Sequence, residues 1–393
     1  MNLFKEKKNK NPLEFTIYPS ISNVPSADWD QIVDSQDVSM NKNLILLTEA
    51  SLKDQANFWT IVIRLNQEPI AVACICLFRT DIFQSAPNVI QKLVKQLRTI
   101  KKNAFQLSVL FCGLPVPCGQ IHFRVKDDTL TSSVLKTLNQ IMQKLAKKEK
   151  ATLIVFKEFT QTQLFDSHCL QKEGFISGSV PPLYEIKGNY SSFQAYSSLM
   201  RHKYRRQVHE NQKKFNLENI KIERITEPQK IHNAFTKEVH QLYLEVWEKS
   251  KEKLEQFPQS FFQGLGFALP QQTALILIYE KDKPIAFTVG IHNQTYYYNL
   301  YCGINYEQKE RLDLYFNLYY AELDQVFKQN IPTICLGQTS DSFKSRLGAL
   351  ACPRFFLVRA KNKLLQKGLK FFRHFIFPNP SAIPSHRVFK TND

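Results

Sequence analysis

The stretch Leu336-Gly337-Gln338-Thr339, continuing to Phe343-Lys344-Ser345-Arg346-Leu347-Gly348, reads as a short buried strand and then a polar loop. That loop carries one lysine between two glycines. Upstream lies an aromatic strand, Tyr296-Tyr297-Tyr298-Asn299-Leu300-Tyr301-Cys302-Gly303, followed by helical periodicity from about Arg311 to Lys328. The order is therefore a strand ending in glycine, a long helix, a short strand and a lysine-bearing loop. A lysine brought to a strand's end in this way suits the binding of developing negative charge.

Working outward, the same order recurs in the first half of the chain. Val109 to Gly113 parallels Tyr298 to Gly303, a helix is expected near Leu130–Lys147, and Thr152 to Phe156 parallels Thr333 to Leu336. Ahead of each stands a hairpin. Phe58 to Leu65 turns at Asn66-Gln67 into Glu68-Pro69-Ile70-Ala71, and Thr273 to Tyr279 turns into Lys283-Pro284-Ile285-Ala286. Proline at the start of each returning strand is tolerated because its missing donor falls where the ladder begins. The repeat points to a duplicated unit. The halves differ by an amphipathic basic helix expected at Ile90–Lys102, and by a linking helix, apolar on one side and basic on the other, within Tyr190–Phe215. A third amphipathic helix is expected around Leu364–Phe375, ending before Pro378, with Lys367, Lys370 and Arg373 among its apolar residues. It fits either a core-packed helix or one lying on a membrane surface.

At 393 residues the chain exceeds one ordinary core, and 43% hydrophobic residues argue against wholesale disorder. The expected organisation is a domain over 1–190, a basic linking helix over 191–215, and a second domain with its amphipathic C-terminal helix over 216–393. The charge of +17 fits a polyanionic partner, a phosphorylated donor, RNA or an anionic membrane face, and equally a basic face that is simply solvated. It is concentrated. Arg201 to Lys214 holds six basic residues against Glu210 alone, and no acid occurs between Asp341 and Asp393. Eight cysteines without a CxxC pair read as reduced thiols of a cytosolic protein. The charged start, Met1 to Asn11, is no signal peptide, and no apolar run approaches the ~18 residues of a membrane span. Metal, P-loop, Rossmann and G-x-S-x-G chemistries find no motif, so no metal is expected.

These residues together resemble the GNAT-fold acyltransferases, specifically the FemABX-like branch with two tandem GNAT domains. The resemblance rests on Tyr298–Gly303 with the helix after it, and on Gly337 to Gly348 with Phe343-Lys344 at its centre. It also rests on Gly174-Phe175 leading through Tyr190–Tyr196 to Lys203-Tyr204-Arg205-Arg206. The family implies an α/β fold of mixed sheets and transfer of an acyl or aminoacyl group to an amine, often on a cell-envelope precursor. The Gln/Arg-x-x-Gly-x-Gly/Ala pyrophosphate loop of ordinary GNAT enzymes is absent from both halves. The donor thus stays open between acyl-CoA and charged tRNA, and no DNA partner is expected.

On this resemblance Lys344 is the candidate for holding donor phosphate or reaction charge. Tyr298 and Tyr301 are candidates for protonating the leaving group. Phe343, Gln338, Thr339 and Gly303 are expected at the substrate, with Arg205 and Arg206 guiding a phosphorylated one. The setting implied is cytoplasmic, with peripheral contact at the inner membrane face. Two rivals stand beside it: a catalytically silent GNAT-fold ligand-binding protein, and an RNA-binding protein using the basic linker and tail.

Overall fold

The computed structural model describes residues 13–81, 106–216, 220–250, 255–373, 377 and 386–390. The helix expected at Ile90–Lys102 and the end of the C-terminal amphipathic segment lie outside them. The strands are β1 (Leu13–Tyr18), β2 (Ala56–Leu65), β3 (Glu68–Asp81), β4 (Gln106–Cys112), β5 (Phe123–Val125), β6 (Leu153–Phe159) and β7 (Ile176–Lys187) in the first half. In the second half they are β8 (Ile220–Ile225), β9 (Thr273–Glu280), β10 (Lys283–His292), β11 (Tyr296–Ile304), β12 (Thr333–Cys335) and β13 (Leu350–Ala360).

Both expected hairpins form, and their turns match in detail. Asn66 and Gln67 in one, and Lys281 and Asp282 in the other, all have positive φ. That is the two-residue turn whose twist matches its flanking strands. In each returning strand the register slips after the proline, so Ile70 and Ile285 are the bulged residues. The tandem, mixed α/β architecture follows. Each half is an antiparallel meander closed by one parallel pair, β4 with β6 and β11 with β12.

The halves do not form separate sheets. The strand order is β1-β2-β3-β4-β6-β13-β7-β12-β11-β10-β9-β8, with β5 beside β3. Thus β13, from the end of the chain, flanks β6 of the first half, and β7 flanks β12 of the second. Each parallel pair is completed by a strand from the other half, and the antiparallel pair β7–β13 lies at the centre. The sheet therefore runs across the divisions expected at 190 and 215.

The helices needed below are α1 (Lys42–Ser51), α2 (Thr131–Lys148), α3 (Phe193–Ser198), α4 (His202–Asn216), α5 (Lys237–Lys249), α6 (Gln259–Ala268), α7 (Leu314–Phe327), α8 (Asp341–Arg346) and α9 (Lys363–Phe371). Helix α2 buries Val134, Leu135, Leu138, Ile141, Met142 and Leu145, one face at helical spacing. The single linking helix expected within 191–215 is instead two, α3 and α4. The break has a cause: Arg201 N donates to Val388 O at 2.8 Å and Met200 bridges to Phe389, so a returning segment takes those backbone groups.

One hydrophobic core is shared by the halves. Leu44, Val62 and Cys74 lie in it with Phe261, Leu265, Phe287 and Tyr298. Burying each large apolar side chain contributes roughly 1.5–3 kcal/mol. Helix α1 packs so closely on α6 that a Cβ on Gly264 would lie 2.6 Å from Leu47 Cδ1.

Candidate functional site

The parallel pair β11–β12 holds for only three residues, Tyr296–Tyr298 against Thr333–Cys335. Beyond it β11 continues to Ile304 while the chain after β12 turns away. Leu336 and Gly337 bond instead to Tyr184 of β7, at 2.8 and 3.1 Å. Gly337 (φ 77°), Thr339 (φ 63°) and Ser340 (φ 56°) then take the left-handed region in quick succession. Glycine does so freely, whereas threonine and serine do so at a cost of order 1–3 kcal/mol each. That strained turn delivers α8 and Lys344 to the opening.

Lys344 is 2% exposed, and its Nζ donates to Gln338 O at 2.6 Å. Burial lowers its amine from 10.5 to about 7, against the opposing pull of Cys302, Asp341 and Glu322. The same Nζ stands 5.9 Å from the Tyr184 ring centroid. Beside it the Tyr184 hydroxyl and the Asp341 carboxylate face each other, both buried and short of an ideal hydrogen bond. Burial, and then the Asp341 carboxylate, push the Tyr184 phenol up to about 12.

Behind Lys344 lies a polar network in the interior. Glu322 of α7 is fully buried and accepts from Thr288 Oγ1 at 2.9 Å, Tyr297 OH at 2.8 Å and Asn299 Nδ2 at 2.8 Å. Burial raises its carboxyl, and these bonds pull it back. Burial likewise pushes the Cys302 thiol, which feels Lys344, up to about 11. Sequence reading missed Thr288, Glu322 and Tyr184. A lone acid on the apolar face of α7 and a lone amide in the aromatic run of β11 were the available signals.

The candidate residues fall into separate places. Gln338 joins the halves: its Nε2 donates to Pro181 O at 2.9 Å and to Glu158 Oε2 at 3.1 Å. Phe343 is packed among Tyr315, Phe316 and Tyr319 at centroid distances of 4.5–5.0 Å, so it anchors α8 on α7. Gly303, expected at the substrate, is a packing residue: a Cβ there would meet Phe287 at 2.3 Å and the α5 backbone at 2.6 Å. Tyr298 and Tyr301 lie on the opposite face of β11 from the Glu322 network, because a bulge opposite Val289 and Gly290 turns Tyr301 to the shared core. Tyr301 is enclosed by Phe257, Phe261, Phe262 and Tyr243, and burial raises its phenol far above the ordinary range. Tyr298 lines a cavity of about 310 Å³ between the halves, with Asp34, Asp37, Arg124, Asn293 and Tyr296. Arg205 donates to Ser198 O at 3.2 Å and Arg206 to Glu210 at 2.7 Å, both on the outer surface of α4.

Fold and site together define a tandem GNAT-like protein. The chain belongs to the FemAB-like family, described as peptidoglycan biosynthesis/recognition, which it matches over residues 106–372. No curated protein matches it by sequence. Among solved structures it is similar to the C-terminal domain of an Agrobacterium fabrum protein assigned as a lysylphosphatidylglycerol synthetase. The TM-score is 0.52 at 9% identity, covering 90% of this chain and 98% of that one. It is also similar to FemX (TM-score 0.47, 13% identity, 82% and 92% covered) and to a tandem GNAT protein of the clavulanic acid pathway (0.49, 9%, 89% and 99%). At 9% identity the likeness to the Agrobacterium fabrum domain speaks to the fold alone. Among the described residues no helix is long and apolar enough to cross a membrane.

Proposed function

We propose that this protein is a cytoplasmic N-acyl or aminoacyl transferase of cell-envelope synthesis. It moves the group from a phosphate-bearing donor, an acyl-CoA or an aminoacyl-tRNA, to an amine on an envelope precursor. The observation that carries this reading is Lys344, a buried lysine lowered to about 7 where a parallel strand pair parts.

In the reaction the acceptor amine attacks the donor's acyl carbonyl. A C–N bond forms, the C–S or C–O bond to the donor breaks, and a tetrahedral oxyanion stands between. A protonated Lys344 balances that charge in a site where water is excluded, so the interaction is stronger than it would be in solvent. With its pKa near neutrality the same ammonium can give its proton to the departing thiolate or ribose oxygen. Asp341, whose carboxylate faces the Tyr184 hydroxyl near Lys344, is suited to take the proton the attacking amine loses. In the cavity beside Tyr298 the Asp34 carboxylate suits an amine-bearing acceptor lying between the halves, while Asp37 there is held by Arg124 and Ser39.

The test is calorimetry of acetyl-CoA, a long-chain acyl-CoA and charged tRNA against the wild type and Lys344→Ala. One donor is expected to bind saturably and to take up a proton near pH 7, since an anion raises the lysine's pKa. That binding should weaken in the variant. Absence of binding by all three would overturn the reading in favour of a catalytically silent ligand-binding protein.

A further inference from the structure

Helix α9 is fastened to the body at few points. Asn362 caps it, accepting from Leu364 N at 2.7 Å and Leu365 N at 3.3 Å. Gln366 accepts from Ala360 N and donates to Gly174 O, both at 2.7 Å. Leu369 packs into a small core with Val155, Ile176 and Val358. The remaining surface forms three stripes at helical spacing. Leu365, Leu369 and Phe372 make the stripe nearest the body. Leu364 and Phe371, two turns apart, make the next and are 79% and 81% exposed, with Gly368 between them and nothing within 4 Å of the place a Cβ would take. Lys363, Lys367 and Lys370 make the third, all exposed, with no acidic partner among the described residues.

We propose that this ridge docks on the surface of an anionic phospholipid bilayer. An apolar line beside a line of lysines on one short helix is the arrangement that sinks into the headgroup boundary while ammonium groups reach lipid phosphates. Charge selects this occupant. The chain has no acid between Asp341 and Asp393, so a second copy presenting the same face would bring lysine against lysine. An RNA would answer the lysines and leave Leu364 and Phe371 in water. The ridge is convex, which suits a surface it can enter rather than a peptide it would have to enclose. This proposal stands apart from the transfer reading, since a protein that binds no donor could still bind lipid.

The full chain is mixed with phosphatidylcholine vesicles with and without phosphatidylglycerol, and bound protein is separated by flotation at low and high salt. The wild type should bind only the anionic vesicles and be released by salt. Leu364→Glu with Phe371→Glu, and separately Lys363→Gln with Lys367→Gln and Lys370→Gln, should each weaken binding about tenfold or more while melting temperatures stay unchanged. All five side chains are exposed, so either variant should fold. A folded wild type that ignores anionic vesicles, or variants that bind as the wild type does, would overturn the proposal. So would a wild-type dimer in light scattering that the Leu364→Glu, Phe371→Glu variant dissolves, because the ridge would then belong to a second copy.

Discussion

In the second half of the molecule Thr288, Tyr297, Asn299 and Glu322 form a buried polar network, whereas the same places in the first half hold Ala73, Leu110, Cys112 and Met142. The equivalence is structural. Lys150 and Asn330, both left-handed, Leu153 and Thr333 at the starts of β6 and β12, and the helix caps Thr160 and Ser340 all stand 180 residues apart. By the same shift Leu164, packed on the first core, occupies the place of Lys344. Thr160 makes a relaxed capping box with Gln163, while Ser340 sits at φ 56° with no side-chain cap. In the first half the network positions are apolar and the cap is ordinary, although Glu158, also buried, takes φ 68° there. The second half keeps a buried carboxylate, a buried lysine and a strained turn, each of which costs stability. A cost borne in one of two equivalent places supports the proposal that puts the site there. Between the halves Gln338 donates to Glu158, its own counterpart, at 3.1 Å.

The largest expected effect tests which half is active. Lys344→Met should lower turnover about 10²–10³-fold, the range for removing one charge-stabilising donor, while Leu164→Met leaves it unchanged. Steady-state kcat/KM with the donor identified by calorimetry reads both. Equal losses in the two variants would break the comparison. A second experiment copies the first half into the second: Thr288→Ala, Tyr297→Leu, Asn299→Cys and Glu322→Met together. Stability to urea should stay level or rise by about 1–4 kcal/mol, because an entire buried polar group is replaced by apolar packing. Glu322→Met alone should instead lower it by about 1–3 kcal/mol, since Tyr297, Asn299 and Thr288 would then have lost their acceptor. A stabilising single variant would mean that the network is not closed around Glu322.

Much of this architecture was legible in the sequence because its signals are local. The hairpins at Pro69 and Pro284 and the helix near Arg311–Lys328 could each be found from residues a few positions apart, whereas the Phe343-Lys344 segment, read as a loop, is the short helix α8. The exchange of β7 and β13 was not legible, because strand neighbours in a sheet are set by pairing between distant segments rather than by pattern. The candidate site was legible in part. Lys344 stood out between two glycines and is buried where the strand pair parts, but Tyr298 and Tyr301 read as its neighbours until the bulge in β11 turned Tyr301 to the other face. Glu322 was hidden because an acid in a helix reads as solvated until burial is known. Phe343 and Gly303 read as contacts to substrate because packing against α7 and α5 leaves no mark in a single sequence.

The smallest effect concerns the proton on Lys344, and it separates the halves without any substrate. Unfolded, this amine keeps its ordinary value of 10.5, and folded it is lowered to about 7. Between those values the unfolded chain binds the extra proton, so stability rises with pH there. Below about 7 both states hold the proton and the burial penalty is full. The contribution of one such group cannot exceed about 1.4 kcal/mol per pH unit. Urea denaturation at pH 7, 8 and 9 should therefore show the wild type gaining on Lys344→Met as pH rises, with the variant the more stable at pH 7. Leu164→Met, which has no proton to exchange, should run parallel to the wild type throughout. A flat difference between wild type and Lys344→Met would mean that the lysine keeps its proton when buried, and that Asp341 holds it as a fixed ion pair rather than leaving it poised to exchange.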